Sequence, residues 1–469
     1  MKSVQQPALH LPGILVLLTG QLLPLVDFSI INVALAAISK SLDASHTQLE
    51  LVVAIYGVAF AVCLALGGRL GDRLGRLRLY LWGVALFGLA SLLCGIAINV
   101  PMLLVARLLQ GAGAALMVPQ ILAIIHVCLK GEAHSKAIGA FGSVGGVAFI
   151  VGQVLGGLLV SLDIAGLGWR TIFLINIPFC LFILATAKRW IPETRSPHAP
   201  GLDLKGTALL AVVILCLLLA TAMGPVLHWP FWSQLMLVAV PVVLAALWQV
   251  EKRQPWPLLP PRLLALGSMQ FGLMLALLFF ASWSGFMFVL ALTLQDGAGL
   301  SPAQSGNAFI TLGAAFFVMA MLSARLNKKL GKVATLVMGF AIQIVGLVGL
   351  IETLGHYWAS VGLLTLAPAT GLIGAGQALV VSGFYRIGLG EVEAHDAGAG
   401  SSMLSTVQQA ALGLGPALFG APFAWQLAAS QSYPQAMTLA LEIEIVAMLV
   451  LVSSALVFGL RQRRRLALD

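Results

Sequence analysis

The chain reads as an all-α polytopic membrane protein, and three observations carry that reading. Apolar stretches of bilayer length follow one another from Leu11 to Leu460. Of 469 residues, 60% are hydrophobic and 9% charged, against about 25% charged in an average soluble domain. The basic residues fall on alternate loops rather than on one face. A hydrocarbon core of ~30 Å takes ~20 residues of helix, and backbone polar groups inside it must be paired within the segment. Helices meet that requirement; short alternating strands are absent from the pattern.

Windows of that length predict fourteen spans, helices 1 to 14, at 12–38, 50–68, 79–98, 102–127, 137–161, 171–188, 206–224, 231–250, 268–294, 303–324, 334–353, 359–383, 399–424 and 435–459. The net charge of +9 is a topology signal rather than a nucleic-acid footprint. With the amino terminus cytoplasmic, every Lys and Arg falls on the inner side except Lys40, Arg170 and the intramembrane Arg107. Both termini are therefore expected inside. The five cysteines lie within helices at no paired spacing, which predicts neither disulfides nor a metal cluster. No phosphate-cradling GxxxxGK[ST] loop occurs, and no loop is long enough for a nucleotide-binding domain. Transport would then draw on an ion gradient or run downhill. The chain is not expected to be an enzyme, to hold a cofactor or metal, or to bind nucleic acid. Its expected partners are the bilayer, protons and a small-molecule substrate, and it is expected to work as a monomer.

The loops hide a repeat. Gly68 to Arg76, after helix 2, reads GRLGDRLGR, and Ala324 to Lys332, after helix 10, reads ARLNKKLGK. Arg69 then stands over Arg325, Leu74 over Leu330 and Gly75 over Gly331. Gly111-Ala112-Gly113 of helix 4 stands over Gly374-Ala375-Gly376 of helix 12, and Gly152 to Leu155 of helix 5 over Gly415 to Leu418 of helix 13. Three echoes in order imply a duplicated six-helix unit: residues 1–190, then 191–267 carrying inserted helices 7 and 8, then 268–469. Parallel repeats of this kind place a substrate site near the midplane, between halves that rock to alternate access.

At these residues the chain resembles the major facilitator superfamily, and within it the fourteen-helix drug:proton antiporters. Gly68 to Arg76 is similar to the family's loop motif after helix 2, with Leu77 in place of a usual basic residue. Leu25 to Leu35 is similar to the first-helix motif, with Ala36 where a proline is usual. Arg107 to Gly113 resembles the arginine motif of helix 4, and Trp169 to Pro178 the start of helix 6. The resemblance implies the major facilitator fold and proton-coupled efflux of lipophilic, cationic drugs or biocides from a bacterial inner membrane. One departure bears on mechanism: the helix-5 antiporter motif Gly-Pro-x-x-Gly-Gly reads Gly152-Gln153-Val154-Leu155-Gly156-Gly157. The missing proline keeps open a metabolite symporter or uniporter.

Candidate site residues follow in chain order. Asp27 lies about fifteen residues into helix 1, ~23 Å from its cytoplasmic end. A carboxylate in hydrocarbon is costly when charged, so it marks a group that can load and release a proton. The alternative is a paired aspartate that orients helix 1. Arg107, ~9 Å from the outer end of helix 4, stands at a similar height and can compete with the proton for Asp27. Its alternative is a snorkelling anchor. Asp72 with Arg69, Arg73 and Arg76 is expected to form a charge network resembling the family's conformational latch, a motif that begins at Gly68, with Gly71 and Gly75 allowing a tight turn. Gly152, Gly156 and Gly157 let a neighbouring backbone approach helix 5. Asn32, Gln110, Asn176 and Gln377 are candidate cavity hydrogen-bonders. Helix 9 carries Phe279, Phe280, Trp283 and Phe286, aromatic faces suited to flat lipophilic cations if they line the cavity, or a lipid-facing stripe if they do not. Glu442 and Glu444 of helix 14 are two apart, point to nearly opposite faces and cannot form one carboxylate site.

Overall fold

A computed structural model describes residues 9–195, 201–224, 227–393 and 396–466. Its long helices are α1 (Leu11–Leu42), α2 (His46–Leu74), α3 (Arg76–Gly95), α4 (Val100–Cys128), α5 (Gly131–Leu162), α6 (Gly168–Trp190), α7 (Leu204–Met223), α8 (Phe231–Arg253), α9 (Gly267–Gly297), α10 (Pro302–Leu330), α11 (Lys332–Tyr357), α12 (Leu363–Gly388), α13 (Ala397–Ser430) and α14 (Tyr433–Leu466). Among the described residues there is no strand, and twelve helices are long and apolar enough to cross a membrane. The expected fourteen therefore becomes twelve by that measure. Helices α5 and α13, of 32 and 34 residues, complete the fourteen long helices. Most helices overrun the predicted spans by several residues, because caps and polar last turns extend the helix beyond the apolar window that marked it.

The starts of α2 and α10 show how local sequence sets these ends. Ser45 Oγ accepts from Gln48 N and Gln48 Oε1 accepts from Ser45 N, a capping box. Ser301 and Gln304 repeat it at the start of α10. This echo of the duplication escaped the motif comparison. At the far ends of the same helices, Gly75 (φ 110°) and Gly331 (φ 87°) turn the chain through a region that disfavours any side chain.

The two copies pack alike. A Cβ at Gly111 would collide with the carbonyl of Tyr56 in α2, and one at Gly374 with the carbonyl of Leu312 in α10. Gly113 lies against Gly83 and Phe87 of α3, and Gly376 against Gly339 and Gln343 of α11. Gly152 abuts Val26 and Ser29 of α1, and Gly415 abuts Ala281 and Ser284 of α9. Close helix approach at small residues is how bundles associate without a hydrophobic driving force between them.

The bundles meet along two seams, α2 against α13 and α5 against α10. At the end remote from Gly75 and Gly331 the second seam closes on glycine: Gly157 lies against the backbone of Pro302 and Ala303, and Gly306 against that of Gln153. Midway along the first seam, Gly57 meets Gly413. Helix α7 lies outside that seam, its Leu210, Ile214 and Leu218 packing with Ala54, Val58 and Ala61 of α2 and Ala410, Leu414 and Ala417 of α13. Its partner α8 shows most of its surface to the surroundings.

Candidate functional site

Helix α1 is irregular where its carboxylate stands. Pro24 removes one backbone donor, and the helix narrows to a 3₁₀ turn at Ile31–Ala34. Tyr56 Oη donates to the carbonyl of Pro24 at 3.0 Å, which ties α2 to α1 beside the irregularity. Asp27 lies between these two irregularities, fully buried.

Two helices, α4 and α6, supply its partners, and a third, α3, ties those partners together. Arg107 of α4 forms an ion pair with Asp27 Oδ2, and both side chains have no exposed surface. Gln110 Nε2 donates to Asp27 Oδ1 at 2.7 Å, and Asn176 Nδ2 of α6 donates to the same oxygen at 2.9 Å. Ser91 Oγ of α3 accepts from Gln110 at 2.9 Å and from Asn176 at 3.2 Å, tying the two amides together. Arg107 also donates from Nη1 to Gln110 Oε1 (2.8 Å) and from Nε to the carbonyl of Val52 (3.3 Å), and its guanidinium carbon sits 4.3 Å from the centre of the Tyr56 ring. Its Nη2 has no hydrogen-bond partner. A dry pair held this way is sensitive to loss of either member, because the survivor is left as an uncompensated buried charge.

Every partner of Asp27 belongs to the amino-terminal bundle. The carboxylate thus faces the interior of its own bundle, not the seam between the two halves. Gln110 and Asn176 are drawn into this cluster rather than into a cavity. Ser91 was invisible to sequence reading, as a lone serine in an apolar helix carries no pattern.

The other expected cavity residues separate. Phe279, Phe280, Trp283 and Phe286 are all buried within the carboxy-terminal bundle: Phe280 meets Phe384 of α12 at 5.2 Å and Trp283 meets Phe316 of α10 at 6.0 Å. They pack between α9, α10 and α12 rather than forming a lipid-facing stripe. Gln377 is buried with neither amide atom hydrogen-bonded. Asn32 sits on the 3₁₀ turn of α1, which packs on α9 and the start of α10, and donates to the carbonyl of Ser29 at 3.2 Å while its Oδ1 stays unpaired. Gln153 is buried on the same seam and donates to Met287 Sδ of α9 at 3.3 Å. Of the neighbouring glycines, Gly152 and Gly156 press on α1 and Gly157 on α10.

The loop motif also divides. Arg76 donates to Asp72 Oδ1 from Nη2 (2.6 Å) and Nε (3.0 Å). Arg69 does not join them: its guanidinium donates to the carbonyls of Gly201, Trp256 and Pro257 at 2.7–3.0 Å, beside the inserted helices. Arg73 is exposed. Gly68 and Gly71 lie inside α2 rather than at a turn; a Cβ at Gly71 would strike Gln120 of α4, and only Gly75 makes the turn. Motif reading missed Glu193, which fills the space beside Gly75 and accepts from Leu77 N and Arg78 N at 3.0 Å each. An anion there complements the amino-terminal end of α3.

In the carboxy-terminal bundle, Glu444 is buried and accepts from Gln343 Nε2 at 2.9 Å, while Glu442 is exposed, so the two acids do face apart.

Two bundles of duplicated helices, a closed seam and a buried charge pair define a polytopic membrane transporter. The chain belongs to the major facilitator superfamily, whose family model matches residues 17–416. It is 33% identical to a probable actinorhodin transporter of Streptomyces coelicolor, over 87% of this chain and 71% of that protein. It is equally 33% identical to a puromycin resistance protein of Streptomyces alboniger, over 87% and 80% of the two chains. A multidrug resistance protein of Mycobacterium tuberculosis is 29% identical over 88% and 75%. Among solved structures, a peptide transporter in complex with sulfate superposes with a TM-score of 0.69 at 18% identity, covering 97% of each chain, which is a likeness of fold.

Proposed function

We propose that this chain is a proton-coupled multidrug efflux antiporter that exports lipophilic, cationic drugs or biocides by alternating access. The names of its relatives, which denote transport of and resistance to antibiotics, support export in general. The observation that carries proton coupling is the Asp27–Arg107 pair, enclosed with Gln110 and Asn176 inside the amino-terminal bundle. A proton arriving at Asp27 cancels the charge that holds Arg107, and the freed guanidinium must find another partner or move. Loading thereby biases one arrangement of the bundle over another, as a coupling group must.

The same reading takes α5 and α13 as membrane-crossing helices, giving fourteen, with residues 1–190 and 268–469 as the rocking halves around the inserted pair. Both termini are cytoplasmic, in a bacterial inner membrane, and the protein works as a monomer. The closed end of the seams is then the outer end, and the structure represents a state shut to the outside. Asp72 and Arg76 act as the latch on the inner side.

In proteoliposomes with an imposed pH gradient, wild-type protein should move ethidium against its gradient. Asp27→Asn should retain exchange without a gradient and lose proton-driven accumulation; unchanged accumulation would remove Asp27 from the mechanism. The second reading, a metabolite symporter or uniporter, is favoured by one observation: Gln153, in place of the motif proline, is buried at the seam against Met287. Counterflow with a metabolite panel but no drug response would select it.

A further inference from the structure

We infer that the seam between α2 and α13 holds a binding site for small organic cations at its closed end, with Glu50 as its anion. Glu50 lies one turn into α2 and is 3% exposed, and its Oε2 has no hydrogen-bond partner. No ion pair to it exists among the described residues. Its carboxylate rests where the side chain of residue 420 would stand, and Gly420 leaves that room. Beside it is a cavity of about 190 Å³ walled by Phe288 and Leu292 of α9 and Phe423, Ala424 and Leu427 of α13, with His46 at its edge.

The duplication supplies an independent reason to see a site here. The place held by Glu50 in α2 is held by Gly306 in α10, and the place of Gly420 in α13 by Gly157 in α5, so the second seam zips backbone to backbone where the first holds a carboxylate and a cavity. Packing alone does not need an acid at this position, since the twin seam closes without one.

The chemistry of the walls selects the ligand. A buried carboxylate calls for a cation. An inorganic ion such as Na⁺ would demand several oxygen ligands, and this cavity offers one acid and the Gln431 amide at its edge among mainly aliphatic and aromatic side chains. An alkylammonium group needs only the charge, and Phe288 and Phe423 offer ring faces for cation–π attraction. Neither basic residue near this end pairs with Glu50 among the described residues, and Lys40 and His46 both lie close enough to act through space on Asp296, at the end of α9. Placed at the closed end, the site is where a departing cation would be held last. That consequence rests on the export reading; the binding does not.

The test uses full-length protein in detergent, radiolabelled tetraethylammonium, and the neutral alcohol 3-ethylpentan-3-ol of similar bulk as competitor. Glu50→Gln should weaken tetraethylammonium binding by about ten-fold or more and leave the alcohol within about two-fold. Ala424→Leu, which fills the cavity without touching the acid, should weaken both. Sodium at matched ionic strength should not compete. Equal tetraethylammonium affinity in Glu50→Gln and wild type, or equal loss of cation and alcohol, would overturn the site, as would competition by sodium. If Glu50→Gln does not keep the wild-type gel-filtration profile, the Ala424→Leu and sodium arms decide. Because binding is read without a gradient, it fails or succeeds separately from proton coupling at Asp27.

Discussion

In the amino-terminal bundle the carbonyl of Val26 lies against Gly152, and the next residue is Asp27; in the carboxy-terminal bundle the carbonyl of Ala281 lies against Gly415, and the next residue is Ser282. Setting Gly111 over Gly374 puts Thr370 where Arg107 stands and Ile373 where Gln110 stands, and setting Gly83 over Gly339 puts Leu347 where Ser91 stands. One copy therefore carries an ion pair and its amide ligands, while its twin keeps the backbone contacts and fills the place with small or apolar side chains. The second bundle packs without the polar cluster, so the cluster is not what the helix arrangement requires. Its retention in one half alone points to work rather than to architecture.

Arg107→Met should have the largest effect, because it strands Asp27 in a dry interior at a cost of about 3–5 kcal/mol. Thr370→Val, its twin, should cost less than about 1 kcal/mol. Melting of the purified proteins reads both, and equal losses would erase the asymmetry. Next come Gly111→Ala and Gly374→Ala, which each force a methyl into a facing carbonyl; both should lose about 1–3 kcal/mol, and a large inequality would mean the bundles are less alike than their contacts indicate.

Gly75→Ala and Gly331→Ala share the penalty of a left-handed backbone, about 1 kcal/mol. Only the first also displaces the Glu193 carboxylate, whereas nothing lies within 4 Å of a methyl at Gly331. The Gly75 variant should therefore melt lower than the Gly331 variant; the reverse order would discount the Glu193 contact. Smallest of all is Glu444→Gln, whose carbonyl can still accept from Gln343. It should shift stability by less than about 1 kcal/mol and leave proton-driven transport intact; lost coupling would move part of the proton chemistry into the second half.

Much of this was legible in the sequence because it is written in composition and period. Bilayer-length apolar windows mark the helices, and repeated glycines mark the duplication. Asp27 and Arg107 stand out as charges where charge is costly, and helix rise alone places them at one height. Their ligands are harder to read, since Asn176 and Gln110 look like any intramembrane amide and Ser91 like filler. Glu50 escaped notice because an acid one turn into a helix beside His46 resembles an interfacial residue; only the neighbouring helix shows that it is covered. The aromatic residues of α9 are hard to read for the converse reason, as a stripe of rings has the same pattern whether it lines a vestibule or fills a core.

Arg69 donates its hydrogen bonds to main-chain oxygen atoms, while the carboxylates of Asp203 and Glu251 lie close enough to act on it through space. Every residue type presents a main-chain oxygen, so side-chain replacement at Trp256 or Pro257 leaves the clasp in place provided the chain keeps its course. The inserted pair is thus fastened to the first half by its path together with two acids. A graft of foreign helices threaded along that path would be held as firmly only if it kept carboxylates at the places of Asp203 and Glu251, whereas Arg69→Lys, with one ammonium for a planar fork, would let go.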